Sequence, residues 1–363
     1  KQDSIITLTI TSNESITEPS VLFTISGTDY NPTTLSGSES IWNAAYTVQN
    51  GQNGTVSFTV DYTDLAGNSG VQQNQPTNGS QVTIDTTLPT LSSATIESSN
   101  NDVTLAKEGD TITLNLTSTE TITTPSVTFN ISGTDYNPTT LSGSDSTWTV
   151  TYTVENGQNG TVSFTVDYTD LAGNSGVQQT ESTNGSHVTI DTTLPTLSSA
   201  TIESSNSNVT LAKEGDTITL NMTSTETITT PSVTFNISGT DYNPTTLSGS
   251  DSTWSATYTV ENGQNGTVSF TVDYTDLSGN AGIQTNQSTN NSSITVDTTP
   301  PSLSIISITN SNSNNAFAKQ GDIVTLNLTF SEAIESPTIK FMIEDADVQT
   351  SNASGSDTNW VVS

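Results

Sequence analysis

The sequence predicts an all-β protein built from tandem antiparallel sandwich domains with a period of 106 residues, and three observations carry that prediction. The first is self-similarity. The segment DTTLP at Asp85 to Pro89 returns at Asp191 to Pro195 and again as DTTPP from Asp297; Phe58, Phe164 and Phe270 keep the same spacing, as do Trp42, Trp148, Trp254 and Trp360. No insertion or deletion interrupts the register. The second is apolar alternation with a period of two, the mark of strands with one face in a core. The third is composition: Ser and Thr dominate, Asn and Gly are abundant, and only 12% of residues are charged, which suits strands and turns better than helices.

The second repeat shows the elements in order. Ala94 to Ile96 opens it, followed by Ile112, Leu114 and Leu116, then Val127, Phe129 and Ile131, then a short strand near Leu141. Trp148, Val150, Tyr152 and Val154 come next, then Val162, Phe164, Val166 and Tyr168, and finally Val188 and Ile190. Gly, Asn, Pro or Asp separates each run from the next. Seven strands in about 100 residues is the count of an immunoglobulin-like sandwich, here lettered A to G, with a core expected around Trp148, Phe129 and Phe164. Alternating strand direction places the BC and FG loops at the pole where the chain enters, and the AB and EF loops at the opposite pole.

At 363 residues the chain exceeds one ordinary core, and the period divides it into repeats at 1–88, 89–194, 195–300 and 301–363. Lys1 aligns with Lys107, so the first repeat is expected to lack its opening strand. Ser363 aligns with Thr257, so the fourth is expected to lack its last strands. Both ends therefore read as cuts in a longer chain.

The segments TLAKEGDTITL (from Thr104), STETITTPSV (from Ser118), VDYTDLAGNSG (from Val166) and DTTLP resemble the Ig-like repeats of giant bacterial and archaeal cell-surface proteins, adhesins and S-layer proteins. The resemblance spans the chain, and it implies extracellular display at the cell envelope without catalysis. The fourth repeat departs from it where GTDYNP, at Gly239 to Pro244, is replaced by Asp345 to Thr350.

Charge narrows the partners. The formal net charge is −32, from 37 acidic residues against five lysines, with no arginine. Nucleic acid and anionic membrane surfaces are thereby disfavoured, since both are bound by clustered Lys and Arg, whereas this surface concentrates cations. No apolar stretch is long enough to insert directly into a membrane. Cysteine is absent, so disulfides and thiolate metal sites are excluded.

Catalytic signals are weak. His187 is the sole histidine, and Gln81 and Ser293 hold its place in the neighbouring repeats. The carboxylates Asp167 and Asp170 recur as Asp61 with Asp64 and as Asp273 with Asp276, and an enzyme rarely repeats its site in every module. Sequons at Asn115, Asn130, Asn159, Asn184, Asn221 and Asn265 suit a secreted glycoprotein, although chance nearly explains them in a chain so rich in Asn, Ser and Thr. Partners expected are neighbouring repeats, like chains in a surface assembly, cations and glycans. In an adhesin reading, Tyr136 and Tyr242 would anchor a glycan or host protein.

One chemical site is expected, and calcium is its cofactor. Linker Asp85, Glu120 of the BC loop, and Asp170 with Asn174 of the FG loop should converge at the junction before the second repeat, supplying the oxygen ligands of a hard cation. The next junction carries Asp191, Glu226, Asp276 and Asn280. Asp297 with Glu332 begins a third set, and Glu14, Asp64 and Asn68 form a first set without its linker. The expected role is a structural rod or lattice module whose junctions calcium stiffens.

Overall fold

In the computed structural model the described residues are 1–344 and 346–363; Asp345, which opens the divergent Asp345 to Thr350 segment, lies outside them. They group into two compact units: Lys1–Pro195 with Thr275–Gly282, and Thr196–Tyr274 with Ile283–Ser363. No helix occurs among the described residues, and none is long and apolar enough to cross a membrane.

The first repeat contains β1 (Ile5–Thr11), β2 (Ser20–Ile25), β3 (Thr28–Tyr30), β4 (Thr34–Ser38), β5 (Ile41–Thr47), β6 (Gly54–Asp61) and β7 (Thr83–Ile84). The second adds β8 (Leu91–Ser98) and β9 (Leu105–Ala106), then β10 (Thr111–Ser118), β11 (Ser126–Ile131), β12 (Thr134–Tyr136), β13 (Thr140–Ser144), β14 (Thr147–Thr153), β15 (Gly160–Asp167) and β16 (Thr189–Ile190). Its two sheets run β13-β14-β10-β8 and β12-β11-β15-β16-β9, which are D-E-B-A facing C′-C-F-G-A′. That arrangement is the immunoglobulin-like sandwich. All pairs are antiparallel except β9 with β16, whose parallel register sets Leu105 opposite Thr189. The third repeat, between Leu197 and Asp297, reproduces both sheets.

Burial follows the alternation. Ile112 and Leu114 are fully buried on β10, and Phe129 on β11 stands opposite Phe164 on β15, at 0% and 4% exposure. Tyr152 turns its hydroxyl inward to accept a hydrogen bond from Gln158 Nε2, so the one polar atom it buries is satisfied. The β11–β12 hairpin turns on Ser132 and Gly133, both at positive φ (49° and 86°), the backbone that a two-residue type I′ turn requires.

Trp148 corrects one expectation. The core is centred on Phe129 and Phe164, but the indole is only half-buried and packs against the core from its rim. It stands at the start of β14 with Gly143 opposite on β13, and the ring covers that glycine so closely that an added Cβ would lie 3.1 Å from Trp148 Cδ2. The indole thus closes the D–E edge.

The first and fourth repeats carry fewer strands than the second and third. The first lacks a counterpart of β8, and its sheet is only β1-β5-β4. In the fourth, Leu303–Asn310 pairs with Val324–Phe330, Thr338–Ile343 pairs with Ala346–Asn352 in a separate two-stranded sheet, and Ile306 and Ile308 are 64% and 65% exposed.

Candidate metal centre

Within the first unit the linker between the first two repeats is gripped from both ends. Thr86, 8% exposed, donates its hydroxyl to Gln52 O at 3.1 Å and accepts from Gly51 N at 3.0 Å. Its own N–H donates to Asn53 Oδ1 at 2.7 Å. These bonds tie the linker to the EF loop of the first repeat. Asp85 Oδ1 accepts from Thr87 N at 2.9 Å, a local turn that holds the carboxylate in place. From the other side Asn174 Nδ2 donates to Asp85 O at 3.0 Å, which ties the linker to the FG loop of the second repeat.

The FG loop is preorganised by the sequence DLAGN. Asp170 Oδ1 accepts from Asn174 N at 2.8 Å and Oδ2 from Asn174 Nδ2 at 2.7 Å, while Gly173, at φ 84°, supplies the positive φ that closes the turn. Asp170 is 2% exposed and Asn174 6%. Two hydrogen bonds aim the buried carboxylate, and each oxygen retains a lone pair for a further partner.

Three carboxylates meet here. One oxygen each from Asp85, Glu120 and Asp170 lies within 4.8 Å of the others. Glu120 is held above the ordinary glutamate range by burial first, and then by the negative charges of Asp85 and Asp170. Three carboxylates of like charge at this spacing, with hard oxygen donors and no nearby sulfur or imidazole, fit a hard divalent cation. Asn174, expected as a ligand, is placed as the brace of Asp170 and of the linker.

The other expected sets are placed as follows. In the first unit, Asn280 donates to Asp276 Oδ1 (2.9 Å), Asp276 Oδ2 (2.7 Å) and Asp191 O (2.8 Å), and Asp191 Oδ1 accepts from Thr193 N at 2.9 Å. In the second unit Glu226 lies in the loop after Thr217–Ser224, half-buried, with its carbonyl accepting from Ser224 Oγ. In that unit too, the Glu332 side chain hydrogen-bonds Asp297, its Oε1 is shielded from solvent without a partner, and its pKa is raised by desolvation first and then by Asp297. Glu14 is exposed, and Asp64 and Asn68 form the same turn in the open, with Asp64 held below the ordinary range chiefly by the Asn68 side chain.

Sequence reasoning missed Thr86, Gln52 and Asn53, although a signal was present: QNGT from Gln52 and the first Thr of DTT both recur every 106 residues. Thr192 repeats the grip in the first unit, donating to Gln158 O at 3.1 Å. It also missed the lysines. Lys1 lies against Gly173, and Lys107 Nζ donates to Gly279 O at 2.9 Å inside the first unit, so each of these lysines sits beside a DLxGN turn.

The alternative sites are weaker. Tyr136 and Tyr242, the expected glycan anchors, are half-buried and pack on Tyr152 and Tyr258 with ring centroids at 5.5 Å and 5.1 Å. His187 is exposed, with its ring 3.5 Å from Gly185 O, and Asp167 is an exposed strand residue that accepts from Gln178 Nε2. Among the sequons, Asn130 spends its Nδ2 on Asp135.

No protein-family model matches the chain, and no curated protein sequence matches it. Among solved structures, it is similar to the I9–I11 tandem of titin (11% identity, TM-score 0.28, covering 82% of this chain and 94% of that one). It is also similar to the Ig1–Ig3 ectodomain of mouse nectin-like molecule 4 (14%, TM-score 0.29, 81% and 95%) and to the D1–D4 ectodomain fragment of ICAM-5 (10%, TM-score 0.31, 99% and 96%).

Proposed function

We propose that this chain is a structural segment of an extracellular, cell-envelope protein, a spacer or lattice strut whose junctions calcium stiffens and whose acidic surface gathers cations. The observation that carries the reading is the meeting of Asp85, Glu120 and Asp170, one residue from the linker and two from the loops of the next repeat. Without a cation these carboxylates repel and strain the hydrogen bonds that hold the linker. A bound Ca²⁺ neutralises them and couples the linker to both loops, and extracellular calcium modules work at about 10⁻⁴ to 10⁻³ M. Tandem modules suit a strut because reach grows with copy number while each core stays independently stable. The net charge of −32 serves the second part of the role by raising the local concentration of counter-cations.

Scattering and melting of the whole chain, in excess chelator and at about 1–10 mM calcium, test the reading, a range chosen to span the affinities of extracellular calcium modules. Calcium should raise the melting temperature and narrow the distribution of molecular dimensions, and Asp85→Ala should weaken both effects while leaving the repeats folded. Identical melting and scattering curves with and without calcium would reject it.

A further inference from the structure

An asparagine followed by glycine is prone to close on itself, because glycine has no Cβ to shield its backbone nitrogen from the neighbouring side-chain amide carbon. The sequence holds eight such pairs, and the second repeat carries three of them, at Asn156, Asn159 and Asn184. All three side chains are exposed, so access does not tell them apart. Hydrogen bonding does. Gly157 N donates to Thr192 Oγ1 at 3.0 Å, which occupies the nitrogen that would have to attack Asn156. Asn159 Oδ1 accepts from Thr192 N at 2.7 Å, which commits its amide to the linker, and Gly160 is fixed at the start of β15 opposite Ile190. The grip on the linker thus protects both.

Asn184 stands differently. Its Oδ1 accepts from Ser186 N at 3.0 Å, which folds the side-chain amide forward over Gly185, and among the described residues no side chain holds the Gly185 N–H. The Ser186 N–H is thereby aimed at the oxygen on which negative charge gathers when the amide carbon is attacked, as a donor in an oxyanion hole is. The same turn forms at Asn78, where Ser80 N donates to Asn78 Oδ1 at 3.0 Å over Gly79. In the third repeat Ser292 N donates to Asn290 Oδ1 at 3.0 Å, but Asn291 takes the place of the glycine at φ 59°, so a side chain crowds the nitrogen. The molecule thus holds its own control.

We propose that Asn184 is a self-modifying site, which converts with water as the only co-reactant to aspartate and isoaspartate and so unlatches β8. The Gly185 nitrogen bonds to Cγ of Asn184 as the Cγ–Nδ2 bond breaks, and Nδ2 leaves as ammonia with the proton that Gly185 N gives up. Water then opens the five-membered imide at either carbonyl, with no oxidation or reduction. Opening at the side-chain carbonyl leaves an ordinary aspartate. Opening at the main-chain carbonyl routes the backbone through the side chain and lengthens it by one methylene between Thr183 and Ser186. These two residues hold the outer edge of β8: Ala94 N donates to Thr183 Oγ1 at 3.0 Å, Thr183 N to Ala94 O at 2.8 Å, and Ile96 N to Ser186 Oγ at 2.9 Å. Both latches cannot stay in register with Ala94 and Ile96 once the segment between them lengthens. The inference stands apart from the calcium reading, because no residue of the metal cluster takes part.

The test keeps the unaltered whole chain in warm, mildly alkaline buffer and follows each asparagine by peptide mapping, reading the mass change from amide to acid and the enzymatic methylation of isoaspartate. Asn78 and Asn184 should convert at least about tenfold faster than Asn156, Asn159 and Asn290, as orientation and an oxyanion donor favour them. In denaturant Asn156, Asn159 and Asn184 should converge, since each keeps its glycine and loses its folded contacts, whereas Asn290 should stay slow. Folded chains that carry isoaspartate at position 184 should exchange the amides of Ala94 and Ile96 faster than unconverted chains do. The sites compared lie in one unaltered chain, so no variant has to fold. Equal rates at the three asparagines of the folded second repeat, conversion of Asn290 as fast as that of Asn184, or unchanged exchange at Ala94 and Ile96 would overturn the proposal.

Discussion

Replacing Glu120 with Gln removes one charge from the junction cluster and keeps its shape. At 4.8 Å, two unit charges near a protein surface repel by about 3 kcal/mol before screening. Because Asp85 and Glu120 are half-exposed, solvent and salt reduce each pair involving them to about 1 kcal/mol. In chelator, Glu120→Gln should therefore stabilise the second repeat by about 1–2 kcal/mol, at roughly 4–8 °C per kcal/mol for a domain near 100 residues. Calcium at about a hundred times its dissociation constant should add about 2.7 kcal/mol to the natural chain and far less to the variant. The pH dependence has a definite sign. Glu120 holds its proton more tightly folded than unfolded, so cation-free stability falls as pH rises from the ordinary glutamate range through the raised folded value. With calcium the dependence reverses, because protons then compete with the ion. Calorimetry with exchange protection of β10 and β15 as the repeat-specific readout follows both effects. If the variant melts with the natural chain in chelator, or gains as much from calcium, the cluster is not the site.

Two further outcomes follow from packing and from the linker. Phe129→Ala should cost about 3–5 kcal/mol in denaturant unfolding of the second repeat, because its ring is wholly enclosed, whereas Trp148→Ala at the half-buried rim should cost clearly less; the reverse order would place the core wrongly. Thr86→Val keeps the side-chain shape but strands Gly51 N and Gln52 O, so it should cost about 1–3 kcal/mol and speed exchange of the linker amides without altering either core, and unchanged linker exchange would show that the grip is not structural.

The strands were legible because burial of one sheet face imposes a period of two, and the 106-residue register repeats that signal four times. Leu105–Ala106 and Thr134–Tyr136 escaped the reading, since two or three residues are too few to display a period and are held in place by pairing with β16 and β11. The acidic loops were legible as a group because alternating strand direction assigns each loop to a pole.

Sequence alone thus determined the all-β class, the repeat length, the strands of the core and the pole at which Asp85, Glu120 and Asp170 gather. Only the tertiary structure decided how closely those carboxylates approach and how deeply each is enclosed. Asp85, Glu120 and Asp170 come from a linker and two separate loops, yet one oxygen of each lies within 4.8 Å of the others, and Asp170 is enclosed to 2% exposure. Local sequence sets hydrogen bonds that close within a few residues, whereas burial and charge proximity depend on segments tens of residues away, and these bring the three carboxylates together.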